Sequence, residues 1–196
     1  MKARAANSGS NSHFMNPNDT ILLAEDDEND AFFFRMALKK AGIPNPLSHV
    51  PDGEDAINYL AGAGVYANRT LHPFPSLIIT DLKMPGGTGF DLLAWIQDQR
   101  QLNWPPVVVL SGSAEDSDRE RALGLGAIAY FVKPPGLEQM VHLAHKLKEN
   151  WLALLATQPA RFQTERSKLR PGRLHRNARD YPMWRQPNFS GKDADG

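Results

Sequence analysis

Residues 20–42 read TILLAEDDENDAFFFRMALKKAG. Three aliphatics, Ile21 to Leu23, start like the inside of a core, and the run ends on Glu25, Asp26, Asp27 and Glu28, with Asp30 one Asn further on. A short apolar run closed by a polar break reads as a buried strand. The segment after it, DAFFFRMALKKAG, reads as a helix: Lys39 and Lys40 lie in its last turn, Gly42 follows as a C-terminal stop, and Pro44 and Pro46 forbid continuation. Carboxylates packed this closely repel and raise one another's pKa, so they either stay in water or face a cation.

The same strand-then-helix unit recurs along the chain: LSHV before GEDAINYLAGAG, SLIITD before GFDLLAWIQDQ, VVVLS before SAEDSDRERALGLG, and IAYFV before a long segment starting near Leu137. Strands that alternate with helices in this way imply a parallel sheet covered on both faces, an α/β fold. Gly124 and Gly126 close the fourth helix as Gly42 closes the first. In the fifth helix Leu137, Val141, Ala144, Leu147, Trp151 and Leu155 recur at helical spacing, but Trp151, Leu152, Leu154 and Leu155 spread around the last turns. One stripe covers a sheet, so the others are expected to meet a second copy of the chain in a homodimer.

The 196 residues suit one domain and something extra. No cysteine is present, which excludes a disulfide framework, a thiolate metal site and a cysteine nucleophile. No run approaches the roughly 18 apolar residues of a membrane span, and a cytoplasmic protein without membrane contact is expected. The zero net charge is uneven: residues 16–160 carry 11 Lys+Arg against 18 Asp+Glu (−7), and residues 161–196 carry 9 against 4 (+5). Residues 1–15 are expected to be a disordered leader or tag, with Met15 a plausible natural start. Residues 159–196, rich in Pro, Gly, Arg and Asn, have the composition of a basic disordered tail.

Ligands of such sheets bind where the strands end, at the carboxyl edge. Glu25 and Asp26 end the first strand, Asp81 the third, Ser111 the fourth and Lys133 the fifth, so these five converge. None of the six histidines has a convincing metal partner; His142 and His145, three apart on the fifth helix, read as surface or packing residues. Asp27, Glu28 and Asp30 read as helix-start residues, placed where negative charge meets the positive end of the macrodipole.

Four motifs in this order, the acids of LLAEDD, then DLKMPGGTGF, VVVLSGS and YFVKPP, resemble the receiver domain of two-component response regulators over about residues 18–156. The resemblance implies a doubly wound, flavodoxin-like sheet of five parallel strands in order 2-1-3-4-5, flanked by five helices, with the receiver spanning 16–158. It implies that Asp81 accepts a phosphoryl group from the phosphohistidine of a sensor histidine kinase or hybrid kinase. Glu25, Asp26, Asp81 and the backbone carbonyl of Lys83 would hold Mg2+, which favours oxygen ligands. Lys133 would pair with the phosphoryl oxygens, and the Lys133–Pro134 bond would be cis. Ser111 would donate its hydroxyl to the phosphoryl group and move inward as the aromatic Tyr130 rotates into the vacated space; Gly112 would leave room for approach. Pro85 and Gly89 would shape the turn before the third helix, Gly89 by permitting unusual backbone angles. The long loop AGAGVYANRTLHPFPS and the extended fifth helix are similar to single-domain regulators partnered with phytochrome-type kinases. Such a protein is a signalling phosphoacceptor and not an enzyme acting on a separate substrate.

Two other classes compete. Phosphatases of the haloacid dehalogenase type also use an aspartyl phosphate with Mg2+, but they need an Asp two residues after the nucleophile, and Lys83 stands there. A DNA-binding output domain would need paired amphipathic helices, which residues 161–196 do not encode, so nucleic-acid contact reduces to a non-specific role for the basic tail.

Overall fold

The structure, a computed structural model, describes residues 19–99 and 104–157, with backbone only for 150–157. Five strands, β1 (Ile21–Ala24), β2 (Leu47–Val50), β3 (Leu77–Thr80), β4 (Val107–Ser111) and β5 (Ala129–Val132), alternate with five helices: α1 (Glu28–Lys40), α2 (Gly53–Ala61), α3 (Gly89–Asp98), α4 (Asp116–Gly124) and α5 (Leu137–Thr157). The strands are all parallel in the order β2-β1-β3-β4-β5. The fold class is the one the alternation of segments predicts, and the strand order is the one the family resemblance implies.

The near-continuous apolar strands follow from burial on both faces. Alternate residues point oppositely, so Leu22, Ala24, Ile78, Val107 and Val109 join Ile57, Leu60, Leu92, Leu93 and Trp95 of α2 and α3. On the other face Ile21, Leu23, Leu77, Ile79, Val108 and Leu110 join Phe34 and Leu38 of α1 and Met140, Leu143 and Leu147 of α5. Each fully buried aliphatic contributes about 2 kcal/mol, so the sheet is a rigid base for whatever its carboxyl edge carries. β1 and β3, both entirely buried, are neighbours at its centre. Their acids, Glu25 and Asp81, are therefore brought side by side.

Local signals set the helix ends. Asp27 caps α1 by accepting from the backbone N–H of Asn29 and Asp30. At the other end Gly42 takes φ +68°, and Ile43 N–H bonds back to Leu38 O at 2.9 Å while Gly42 N–H reaches Lys39 O at 3.1 Å, a paired C-terminal closure that needs a left-handed residue. Thr88 and Asp91 form a reciprocal capping box on α3. The turn before α3 corrects one expectation. Gly86 and Gly87 hold the positive φ angles, while Gly89 is required by contact: a Cβ there would lie 2.1 Å from the main-chain oxygen of Asp81. No cis peptide bond occurs among the described residues, so the Lys133–Pro134 bond is trans and not cis as expected. The two forms of an X–Pro bond differ by only about 1 kcal/mol.

The loop between α2 and β3 contains a short 3-10 helix, Gly64–Ala67, not anticipated from its sequence. Arg69 holds this loop by donating to Tyr59 O and Leu60 O, both at 2.7 Å, at the end of α2. α5 extends to Thr157; the expectation that the side chains of Trp151, Leu152, Leu154 and Leu155 need a further partner lies outside the described residues, as do the proposed leader and tail.

Candidate functional site

Glu25, Asp26, Asp81, Ser111 and Lys133 meet at the carboxyl edge of the sheet. Each stands at or one or two residues past the end of its strand, so the sheet's own ladder fixes their spacing; Asp81 N–H bonds to Ala24 O at 3.0 Å and Lys133 N–H to Ser111 O at 2.8 Å. Glu25 and Asp81 are buried and Asp26 is exposed. Carboxylate oxygens of the three lie within 4.8 Å of one another.

The Lys133 ammonium sits among three carboxylates, with Nζ 2.8 Å from Glu25 Oε2, from Asp30 Oδ2 and from Asp81 Oδ2. Asp81 Oδ1 accepts from the backbone N–H of Leu82, from Lys83 N–H at 3.3 Å and from the Ser111 hydroxyl at 2.6 Å. Both oxygens of Asp81 are thus oriented. The side chain of Lys83 is exposed, and its backbone enters the site through that N–H.

Burial pushes the Glu25 carboxyl up to about 7, overriding the pull of Lys133. Burial alone would lower the Lys133 ammonium, but Asp30, Asp81 and Glu25 outweigh it and hold that group above its ordinary value. The two directions oppose each other across one ion pair, because pairing that raises Lys133 ought to lower Glu25. Among the described residues Glu25 has Lys133 as its one cation, and it is nearly enclosed, so desolvation decides for it; Lys133 has Asp30 and Asp81 as well. The cluster therefore carries surplus negative charge around a single ammonium. Three converging carboxylates, hard oxygen donors with one open to solvent, fit a hard divalent cation that retains waters.

The matching family model, response regulator receiver domain, covers residues 21–145. The chain belongs to the response regulator receiver family. Response regulator Rcp1 of Synechocystis is 32% identical to this receiver over 137 residues, 70% of this chain and 91% of Rcp1. The crystal structure of the phosphorylated cyanobacterial phytochrome response regulator RcpA superposes with a TM-score of 0.64 at 34% identity, covering 73% of this chain and 99% of RcpA. The Mn2+-bound form of Rcp1 superposes at 0.61 with 31% identity, covering 68% and 94%. Members of this family bind Mg2+ or Mn2+ in an acidic pocket, and the acid cluster of this receiver is consistent with that.

Beside the site, Tyr130 is buried, and its hydroxyl donates to Ser113 O at 2.9 Å. The Ser113 hydroxyl donates to Asp118 Oδ2 at 2.6 Å, and the Arg119 guanidinium lies 5.0 Å from the Tyr130 ring centre. Tyr130 is therefore tied to the β4–α4 connection next to Ser111. A Cβ on Gly112 would meet nothing within 4 Å, so space is open there. His142 and His145 are exposed on α5.

Four participants are not legible in the sequence. Asp30, by sequence a helix-start charge, is an ion-pair partner of Lys133. His49 Nε2 lies 2.7 Å from the main-chain oxygen of Glu25; a carbonyl only accepts, so Nε2 carries the proton and steadies the strand end. The Ser113–Asp118 contact was also unforeseen. The one usable signal was for Asp30, a fifth acid one helical turn beyond Asp26.

Proposed function

We propose that this receiver accepts a phosphoryl group on Asp81 from the phosphohistidine of a sensor histidine kinase, in a Mg2+-dependent reaction. The observation that carries this reading is the environment of Asp81: a buried carboxylate with one oxygen on three hydrogen-bond donors and the other on Lys133, beside two further acids. One Asp81 oxygen attacks phosphorus as the bond to the imidazole nitrogen breaks; the imidazole leaves with the bonding electron pair and takes a proton from water. Glu25, Asp26, Asp81 and the Lys83 carbonyl would hold Mg2+, which when bound neutralises charge on the phosphoryl oxygens. Lys133 supplies a charge-assisted N–H to the same oxygens, and Ser111 donates its hydroxyl to them. The inward move of Ser111 and the coupled rotation of Tyr130 then pass the change to the β4–α4 connection. Lys83 at the position where a haloacid dehalogenase needs an acid argues against a phosphatase. The protein catalyses only its own phosphorylation and dephosphorylation.

For partners, α1 presents Phe32 and Phe33 to solvent beside the acids, an exposed apolar pair suited to a kinase surface. The phytochrome regulator RcpA among the similar structures favours a phytochrome-type kinase. Self-association through the α4–β5–α5 face is supported by exposed Leu123, Ile128 and Val132. Residues 16–158 make up the receiver, and the basic segment 159–196 is not needed for phosphorylation. Among the described residues no helix is long and apolar enough to cross a membrane, in keeping with a cytoplasmic site of action.

Incubation with acetyl phosphate and Mg2+ should add one phosphate per chain. Labelling that survives Asp81→Asn, or is indifferent to chelation, would rule the reading out.

A further inference from the structure

We propose that Asp30 is a positioning residue for phosphoryl transfer, the carboxylate that keeps Lys133 aimed at Asp81 once the other acids are engaged. This rests on the reading of Asp81 as phosphoacceptor with Lys133 as its cationic partner. An ammonium has three N–H donors, and Lys133 has three carboxylate partners at equal distance, 2.8 Å. Two of them, Glu25 and Asp81, belong to the converging acid cluster with Asp26, and Asp30 does not. When that cluster takes a cation and Asp81 takes a phosphoryl group, Glu25 and Asp81 are drawn away from Lys133. Asp30 alone of the three is free to remain.

The fold places Asp30 for this role. It lies in the first turn of α1, directly after a helix start already served by the Asp27 cap and by Glu28, so the helix does not need a further acid there. α1 and α5 share one core layer, through Phe34, Leu38, Met140, Leu143 and Leu147, and Ala31, beside Asp30, joins the same layer and anchors that end of α1. Lysine has a flexible four-carbon stem, and without an anchor its ammonium gains freedom and solvation by turning to water. With one N–H held by Asp30, two remain for phosphoryl oxygens. The Asp30 side chain is 40% exposed, against 3% for Glu25. Its own negative charge is thus screened by water and repels an incoming phosphoryl group weakly.

The test is a double-mutant cycle on the full chain, phosphorylated with acetyl phosphate at saturating Mg2+. Asp30→Asn should slow phosphorylation about tenfold, and Asp30→Glu, which keeps the charge, should recover most of the rate. Mg2+ affinity by calorimetry should stay within about twofold of the parent, since Asp30 lies outside the cation cluster. In a Lys133→Ala background Asp30→Asn should have almost no further effect, because the residue acts through the ammonium. A parental rate in Asp30→Asn, or equal slowing in both backgrounds, overturns the proposal. Loss of labelling in Asp81→Asn establishes the phosphoacceptor independently, so a normal rate in Asp30→Asn then counts against Asp30 alone.

Discussion

Replacing Glu25 by Gln should stabilise the metal-free receiver at alkaline pH, much less in mild acid, and hardly at all below about pH 4.5. The carboxyl is held at about 7 in the folded chain against an ordinary 4.5, so between these values the folded state binds the proton more tightly than the unfolded state. Stability from protonated Glu25 is complete below pH 4.5 and is lost as the pH rises through 7. At 1.36 kcal/mol per tenfold change in proton affinity, the charged form costs about 3 kcal/mol at pH 8. Gln copies the neutral acid and does not titrate. Its advantage should therefore grow from about 0.8 kcal/mol at pH 5 to about 3 kcal/mol at pH 8, the latter roughly 6 to 12 °C in melting temperature. Urea unfolding in chelator at both pH values measures this directly. The parent should also gain more from added Mg2+ at pH 8 than at pH 5.5, because the ligand must be ionised, and the Gln variant should lose most of that gain. If Glu25→Gln is less stable than the parent at pH 8, or its advantage is the same at both pH values, desolvation does not govern this carboxyl and the reasoning fails.

Gly89→Ala should destabilise by about 3 kcal/mol in urea unfolding, since its Cβ would sit 2.1 Å from Asp81 O and the turn must shift; a loss under about 0.5 kcal/mol would contradict the contact. Tyr130→Phe deletes the hydrogen bond to Ser113 O and should cost about 1 kcal/mol, checked in the same assay. Arg69→Met should cost about 2 kcal/mol by freeing the Tyr59 and Leu60 carbonyls, and Arg69→Lys should restore less than half, because a compact ammonium cannot match a fork that reaches both.

The alternation of strands and helices is written in the residue pattern, because a strand buried on both faces must be apolar throughout and each helix end is set by a local signal such as Asp27 or Gly42. The pattern also singles out Glu25, Asp26, Asp81, Ser111 and Lys133, because a parallel sheet brings all its strand ends to one edge. What those residues touch follows from the packing of the folded chain. Asp30 and Lys133 are 103 positions apart and meet through the packing of α1 against α5, which no local pattern encodes. The same holds for Gly89, whose need for a missing side chain comes from the backbone of Asp81 eight residues earlier and not from its own dihedral angles. The raised proton affinity of Glu25 is likewise a property of enclosure: its neighbours in sequence, Asp26 and Asp27, are exposed acids, and only Glu25 is taken out of water by the fold.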